Sequence, residues 1–229
     1  MSTDQRILAV IPAYNEEVHV GTVVRQVLNF LPVLVIDDGS KDRTVQVARE
    51  AGAVVLTQNP NQGKGKALKR AFGYAEQNGF DAVITLDADG QHDPLEIPAF
   101  LQSFAQNKSD LIIGAREFKR MPLIRRAGNT AGRLILSWAV GQDIRDNQSG
   151  YRLISRRLML DMLESQEEGF EFEVEMLIRC LKNGYKLDWV SIKTIYADEK
   201  SHIKPLAHIR HFFRIASWSR KMLKGSKQA

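Results

Sequence analysis

The chain has 229 residues and a net charge of +5, with 44% apolar and 26% charged residues. That length buries a substantial core and reads as one large domain, or one domain with an extension. No run approaches the roughly 18 uninterrupted apolar residues of a membrane span, the opening "MSTDQRILAVIPAYNEE" has no apolar signal core, and the single Cys180 excludes an intrachain disulfide.

Along the first half, strand and helix signals alternate. "RILAVIPAY" reads as a buried strand and "VHVGTVVRQVLNF" as an amphipathic helix. "PVLVIDD" is a second strand, "KDRTVQVAREAG" a helix closed by Gly52, and "AVVLTQ" a third strand. "KGKALKRAFGYAEQNG" is a helix stopped by Gly79, "DAVITLDAD" the fourth strand, "PLEIPAFLQSFAQN" a helix and "DLIIGARE" a fifth strand. Continuous apolar strands between helices predict a mostly parallel sheet covered on both faces. Ligands of such sheets sit beyond the carboxyl ends of the strands. Asp37, Asp38, Asp87, Asp89 and Arg116 all fall there and are expected to share one crevice.

The second half is less regular. "RRAGNTAGRLILSWAVG" predicts a helix, "SGYRLISRRLMLDMLE" a short strand and then a helix, and "EFEVEMLIRCLKNG" a helix that buries Cys180. "KLDWVSIKTIYAD" supplies further strand material. From Pro205 onward, Leu206, Ile209, Phe212, Phe213, Ala216 and Met222 fall near helical spacing. After Glu199 the chain has no acid, while Lys200, Lys204, Arg210, Arg214, Arg220, Lys221, Lys224 and Lys227 follow. A catalytic domain over 1–204 with a basic amphipathic helix or tail over 205–229 is expected. The tail reads equally as a helix lying at a membrane interface and as one packed on the domain.

Three strand ends carry chemistry. In "LDADGQHD", Asp87, Asp89 and the Gln91 carbonyl offer oxygen ligands, which suit Mg²⁺ or Mn²⁺. An EF-hand is excluded, since Pro98 stands where the twelfth-position Glu belongs. A haloacid-dehalogenase-type phosphatase fits poorly, with Gln91 two residues after the second Asp and the other acidic pair upstream. His92 reads as a local hydrogen-bonding group ahead of a ligand. Asp93 before Pro94 predicts a helix cap. In "VIDDGSKDRT", two acids leave an apolar strand, where Asp38 could accept hydrogen bonds from a ribose or base; Ser40 and Asp42 read as caps. "NPNQGKGKALKRA" is not a P-loop, because Ala67 follows Lys66, but Lys64 and Lys66 at a helix start can attract phosphate.

Taken together, these segments resemble glycosyltransferase family 2, with its GT-A (Rossmann-like nucleotide-diphospho-sugar transferase) fold: an α/β architecture with a mostly parallel central sheet flanked by helices. Within the family they resemble the dolichyl- and polyprenyl-phosphate mannosyl- or glucosyltransferases. The matching pieces run in order through "VIPAYNEE", "VIDDGSKDRT", "NQGKGKALKRAF", "TLDADGQHDP", "GARE", "DNQSGYRLISR", "GFEFEVEML" and "DEKSHIKP". The resemblance implies an inverting hexosyl transfer from a GDP- or UDP-sugar. It places Pro12, Ala13, Tyr14, Glu16, Asp38 and Lys64 in the nucleotide-sugar pocket and Asp87 beside the donor. Asp89 and Gln91 would hold Mg²⁺ or Mn²⁺. Arg116 would hold the diphosphate, and Arg125, Arg126, Ser201 and Lys204 would face an acceptor phosphate. Many members carry transmembrane helices after the catalytic domain, and no such run is present in these residues.

The nucleophile decides the remaining chemistry. A phosphate monoester is already anionic at neutral pH and needs positioning by cations. A sugar hydroxyl needs a carboxylate base, for which Asp146 is the candidate, with Glu171 and Glu173 behind it. The Arg and Lys content after residue 115 favours the polyprenyl phosphate, reached from the cytoplasmic membrane face. A non-catalytic nucleotide-sugar or anionic-lipid binding protein is the alternative of another class. Nucleic acid is not expected, because acids crowd the strand ends.

Overall fold

The computed structural model describes residues 5–116, 123–167, 169 and 171–193, without side chains at 123–128. Seven strands form one sheet: β1 (Ile7–Ala13), β2 (Val33–Asp37), β3 (Val54–Thr57), β4 (Ala82–Thr85), β5 (Leu111–Arg116), β6 (Arg152–Ser155) and β7 (Leu187–Ile192), in the order β3-β2-β1-β4-β6-β5-β7. The helices are α1 (Val20–Val27), α2 (Thr44–Glu50), α3 (Lys64–Gln77), α4 (Ile97–Asn107), α5 (Leu123–Val140), α6 (Arg156–Leu163) and α7 (Glu171–Lys182).

The strands read as unbroken apolar runs because both faces are covered. Along β1 and β2 the side chains alternate between two cores. Val10, Leu34 and Ile36 pack with Leu68, Ala71 and Phe72 of α3 and with α6 and α7. Ile11, Val33 and Val35 pack with Val20, Val23, Val24 and Val27 of α1 and with Phe100 of α4. The α1 valines recur at helical spacing on one face, and all four are buried; full burial of such a side chain stabilises by about 1.5–3 kcal/mol. Cys180 is buried within the α7 face, and burial pushes its thiol up to about 12.

Two features of the sheet position the site. The chain runs outward from β1 through β2 to β3, then returns to place β4 on the other side of β1, in parallel. A crevice therefore opens at the carboxyl ends of β1 and β4, where the strand order reverses. The second feature was not foreseen in the sequence. β6 is antiparallel to both its neighbours, β4 and β5. It starts at the crevice edge and runs away from it, so the loop preceding it, residues 146–151, lies over the carboxyl ends of β4 and β5. A parallel β6 would have put that loop at the opposite edge.

Among the described residues, no helix is long and apolar enough to cross a membrane. The tail, 205–229, lies outside them, as do Ser201 and Lys204 and the side chains of Arg125 and Arg126.

Candidate active site

A cavity of about 360 Å³ opens where β1 and β4 end. Pro12, Ala13, Tyr14 and Glu16 line it from β1 and its exit, Asp38 from the end of β2, Lys64 from the start of α3, and Asp87 and Asp89 from the loop after β4. Residues spread over nearly 80 positions thus meet in one place, because three parallel strands end on the same edge.

Asp38 has a structural task within this wall. Its Oδ1 accepts from Gln58 Nε2 at 2.6 Å and from Gln62 N at 2.7 Å, and its Oδ2 accepts from Gly63 N at 2.7 Å. The carboxylate therefore ties the 58–63 loop to the end of β2. Gly39 makes the tight turn that lets this happen: its φ is +80°, and a Cβ there would meet Asn61 N at 3.1 Å.

Lys64 is held between two acids. Its Nζ lies 2.6 Å from Asp87 Oδ1 and 3.2 Å from Glu173 Oε1 in the first turn of α7. Burial works against the charge on Asp87, but Lys64 first, then His92 and Arg116, outweigh it and hold the carboxyl far below its usual range. By the same balance, burial disfavours the Lys64 ammonium, and Asp87 and Glu173 more than restore it. Both groups are charged at neutral pH.

His92 is the local hydrogen-bonding group that the sequence suggests, and the structure names its partner. The imidazole is buried, and its Nδ1 accepts the backbone N–H of Asp87 at 3.0 Å. Nε2 then carries the proton in the neutral ring and lies 3.7 Å from Asp87 Oδ2. Burial lowers the His92 pKa more than Asp87 raises it, so the ring stays neutral. His92 braces the turn that carries Asp87. Asp93 caps the next segment through Leu95 N at 2.9 Å, with Pro94 at its first position.

Asp89 and Gln91 share that turn. The backbone N–H of Gln91 donates to Asp89 Oδ1 at 2.9 Å, across Gly90 with φ +76°. No group of three or more His, Cys, Asp or Glu among the described residues forms a complete cation cage. The oxygen donors of Asp89 and Gln91, with Asp87 adjoining, match the partial set typical of Mg²⁺ sites, where substrate phosphates complete the shell. The ammonium of Lys64 already balances Asp87, so a cation there would rest chiefly on Asp89 and Gln91.

Arg116, at the end of β5, and Asp146 meet in a two-point pair. Arg116 Nε lies 2.6 Å from Oδ2 and Nη2 3.0 Å from Oδ1. Asp146 also accepts from the backbone N–H of Gln148 at 3.0 Å and of Arg116 at 3.3 Å. It is 0% exposed. A carboxylate this enclosed, with both oxygens committed, orients Arg116; it is not placed to take a proton from an incoming hydroxyl.

Arg152 fixes the loop over the site. It is almost fully buried, and its guanidinium donates to the carbonyls of Ser149 at 2.8 Å, Asn147 at 3.2 Å and Glu173. Gly150 then sits so close to the site that an added Cβ would meet Lys64 Nζ at 2.8 Å and Asp87 Oδ2 at 2.9 Å. Thr85 Oγ1 donates to the Gly150 carbonyl at 2.7 Å. Arg152 and Gly150 are thus site-building residues to which the sequence assigns no role, and Glu173, expected behind Asp146 as a base candidate, instead pairs with Lys64. The one available signal was an arginine embedded in an otherwise apolar strand.

The comparisons agree with this geometry. A family model described as glycosyl transferase family 2 matches residues 8–161. A UDP-N-acetylglucosamine–dolichyl-phosphate N-acetylglucosaminyltransferase of Methanococcus voltae is 32% identical over 85% of this chain and 88% of its own length. A polyprenol monophosphomannose synthase of Mycolicibacterium smegmatis is 28% identical over 93% and 87%. Among solved structures, glucosyl-3-phosphoglycerate synthase from Mycobacterium tuberculosis, in complex with Mn²⁺, UDP-glucose and phosphoglyceric acid, superposes with a TM-score of 0.77 at 19% identity, covering 95% of this chain and 80% of that one. That likeness establishes the GT-A fold. By the family match and its close relatives, this chain belongs to glycosyl transferase family 2 and is a glycosyltransferase.

Proposed function

We propose that the enzyme transfers a hexose, mannose or glucose, from a GDP- or UDP-sugar to a polyprenyl phosphate, with inversion at the anomeric carbon. The observation that carries this reading is the enclosed Arg116–Asp146 pair. With Asp146 committed to Arg116, an acceptor that arrives already ionised fits the crevice better than a hydroxyl that must lose a proton. The names of the relatives, several of which act on dolichyl or polyprenyl phosphates, support the same acceptor. Transfer to a saccharide hydroxyl with Asp146 as base is the weaker reading for the same geometric reason.

In this mechanism an acceptor phosphate oxygen attacks the anomeric carbon as the bond to the nucleoside diphosphate breaks, and the diphosphate takes the electron pair. Pro12, Ala13, Tyr14, Glu16 and Asp38 form the wall for the nucleotide. Arg116, oriented by Asp146, faces the developing negative charge. Asp87 and Lys64 sit on the donor side, and Asp89 with Gln91 would hold Mg²⁺ or Mn²⁺, which supplies charge stabilisation to the leaving diphosphate. Arg125, Arg126, Ser201 and Lys204 are assigned to the acceptor phosphate from the sequence. The basic residues of 205–229 suit an anionic membrane surface, so a peripheral position at the cytoplasmic face is part of the proposal.

The test is a donor panel of UDP-glucose, UDP-N-acetylglucosamine and GDP-mannose, with a polyprenyl phosphate, with Mn²⁺ or Mg²⁺ and with chelator. Lipid-linked sugar formed only with metal is expected. Binding of donor or lipid without any transfer would replace this reading with that of a binding protein.

A further inference from the structure

The protein treats the backbone and the side chain of Asn147 in opposite ways. The backbone is clamped, since its carbonyl accepts from Arg152 Nη2 at 3.2 Å. Its neighbours are fixed too: Asp146 grips Arg116, and the Ser149 carbonyl accepts from Arg152 Nε at 2.8 Å. The side-chain amide has nothing. Nδ2 and Oδ1 are both buried without a hydrogen-bond partner, in a residue 2% exposed. Buried amides are almost always satisfied, and one that is not destabilises the fold. Packing gives no reason for such a group in a loop held by a buried guanidinium.

Position gives a reason. The loop spans the crevice, with Asp146 on Arg116 at one end and Gly150 against Lys64 and Asp87 at the other. Three other buried polar atoms among the described residues have no hydrogen-bond partner: Ser109 Oγ, before β5 at the edge of the sheet away from the crevice, Glu96 Oε2, just before α4, and Arg133 Nε, on α5. Of these four residues, only Asn147 lies on the loop between Asp146 and Gly150.

The amide also restricts the ligand. It has two N–H donors and an acceptor oxygen. A phosphate or diphosphate only accepts, and would leave Oδ1 unmatched. Sugar hydroxyls donate and accept, and a neighbouring pair matches both halves of an amide. We propose that Asn147 hydrogen-bonds hydroxyls of the transferred sugar and so helps set which sugar is used. The inference rests on the crevice being a sugar-nucleotide site. With the backbone clamped, rotation about the side-chain torsions is the motion that presents the amide to the sugar.

The experiment compares Asn147→Leu, which keeps the shape without polar atoms, and Asn147→Ser. Calorimetry with Mn²⁺ measures binding of UDP and GDP and of UDP-glucose, UDP-N-acetylglucosamine and GDP-mannose. In both variants the bare nucleotides should bind as in the wild type. The ratio of affinities, preferred nucleotide sugar over its nucleoside diphosphate, should fall about tenfold, the range expected for one lost polar contact. In Asn147→Leu, Tm should rise by about 2 °C or more, because the unmatched amide is gone. An unchanged ratio in both variants overturns the inference whatever Tm does; an unchanged ratio with lowered Tm would identify an amide matched by buried water. Should the leucine variant fail to fold, the ratio in Asn147→Ser decides. A wild-type protein that binds no nucleotide sugar at all refutes the proposed function itself, which is a separate result.

Discussion

Replacing Asp146 by Asn separates an orienting carboxylate from a catalytic base. The substitution keeps size and one acceptor oxygen but removes the charge from a pair whose acid is 0% and whose arginine side chain is 18% exposed. Breaking a fully buried ion pair from one side costs about 3–5 kcal/mol. Here Asn still accepts one hydrogen bond and Arg116 reaches solvent in part, so about 1.5–3 kcal/mol is expected, the worth of a hydrogen bond to a charged group. At about 2–4 °C per kcal/mol for a chain of this size, Tm should fall by about 3–12 °C. Turnover should fall by about 10- to 100-fold as Arg116 loses its aim. The deciding measurement is the pH dependence of kcat/KM. An orienting role leaves the shape of the profile unchanged and only lowers it. If Asp146→Asn instead removes the acid limb of the profile, or if added formate restores turnover, a proton is taken at this position and the phosphate-acceptor reasoning fails.

Three further outcomes follow from the site. Asp89→Ala should reduce transfer below about 1% and weaken Mn²⁺ binding, read independently by paramagnetic resonance; full activity would remove Asp89 from the metal assignment. Gly150→Ala should lower kcat/KM at least tenfold with circular dichroism unchanged, because the new methyl stands 2.8 Å from Lys64 Nζ and 2.9 Å from Asp87 Oδ2; wild-type kinetics would mean that the pair has room to move aside. His92 is held neutral in the fold, its pKa lowered by burial from an ordinary 6.5. The unfolded chain therefore binds a proton that the native state refuses, and stability falls as pH drops below about 6.5. With chelator present, Tm should decline from pH 7 to pH 5, and the decline should be smaller in His92→Gln; equal slopes would place the acid sensitivity elsewhere. The Asp87–Lys64 pair does not contribute to that slope. The depressed Asp87 loses its stabilisation only below the ordinary carboxylate value of 3.8, and the raised Lys64 only above 10.5.

What could be read from the sequence was whatever is local. Apolar runs such as "VLVI" report strands buried on both faces, and the valines of α1 report a helix face. Acids and glycines just past those runs report the crevice, because in a parallel sheet the ends of strands that follow one another with helical crossovers lie on one edge. The orientation of β6 was not legible. Its four residues are buried almost throughout, so no alternation marks a face, and the direction of a short strand has no signature in its residue types. That one reversal brings Asp146, Asn147 and Gly150 to the crevice. That His92 bonds locally was legible, but its partner was not, since that partner is a backbone N–H that every residue carries.

Electrostatics connects the buried arginine to the chemistry. Beside the cavity, Asp87, Asp146 and Glu173 stand with Lys64, Arg116 and Arg152, three acids against three bases, and His92 is neutral. These six alone balance to zero by formal charge, while Glu16, Asp38 and Asp89, which also line the cavity, add acid without a further lysine or arginine in its lining. Each cation is engaged by acids or carbonyls of the fold, and each acid by cations or N–H groups. The proposed nucleoside diphosphate sugar would bring negative charge, and bond cleavage would concentrate more of it on the leaving group. A cluster already neutral cannot answer that charge without giving up a pairing, and uncovering a buried carboxylate is costly. On the proposed function, a divalent cation brought in with the donor would supply that charge. Asp89 and Gln91, on the turn after β4, would be its oxygen ligands in the proposed function, outside the Asp87–Lys64, Lys64–Glu173 and Arg116–Asp146 pairs. This supports the metal assignment on grounds independent of the family, and it predicts that Lys64→Met, which leaves Asp87 and Glu173 unbalanced, tightens Mn²⁺ binding even as it weakens the fold.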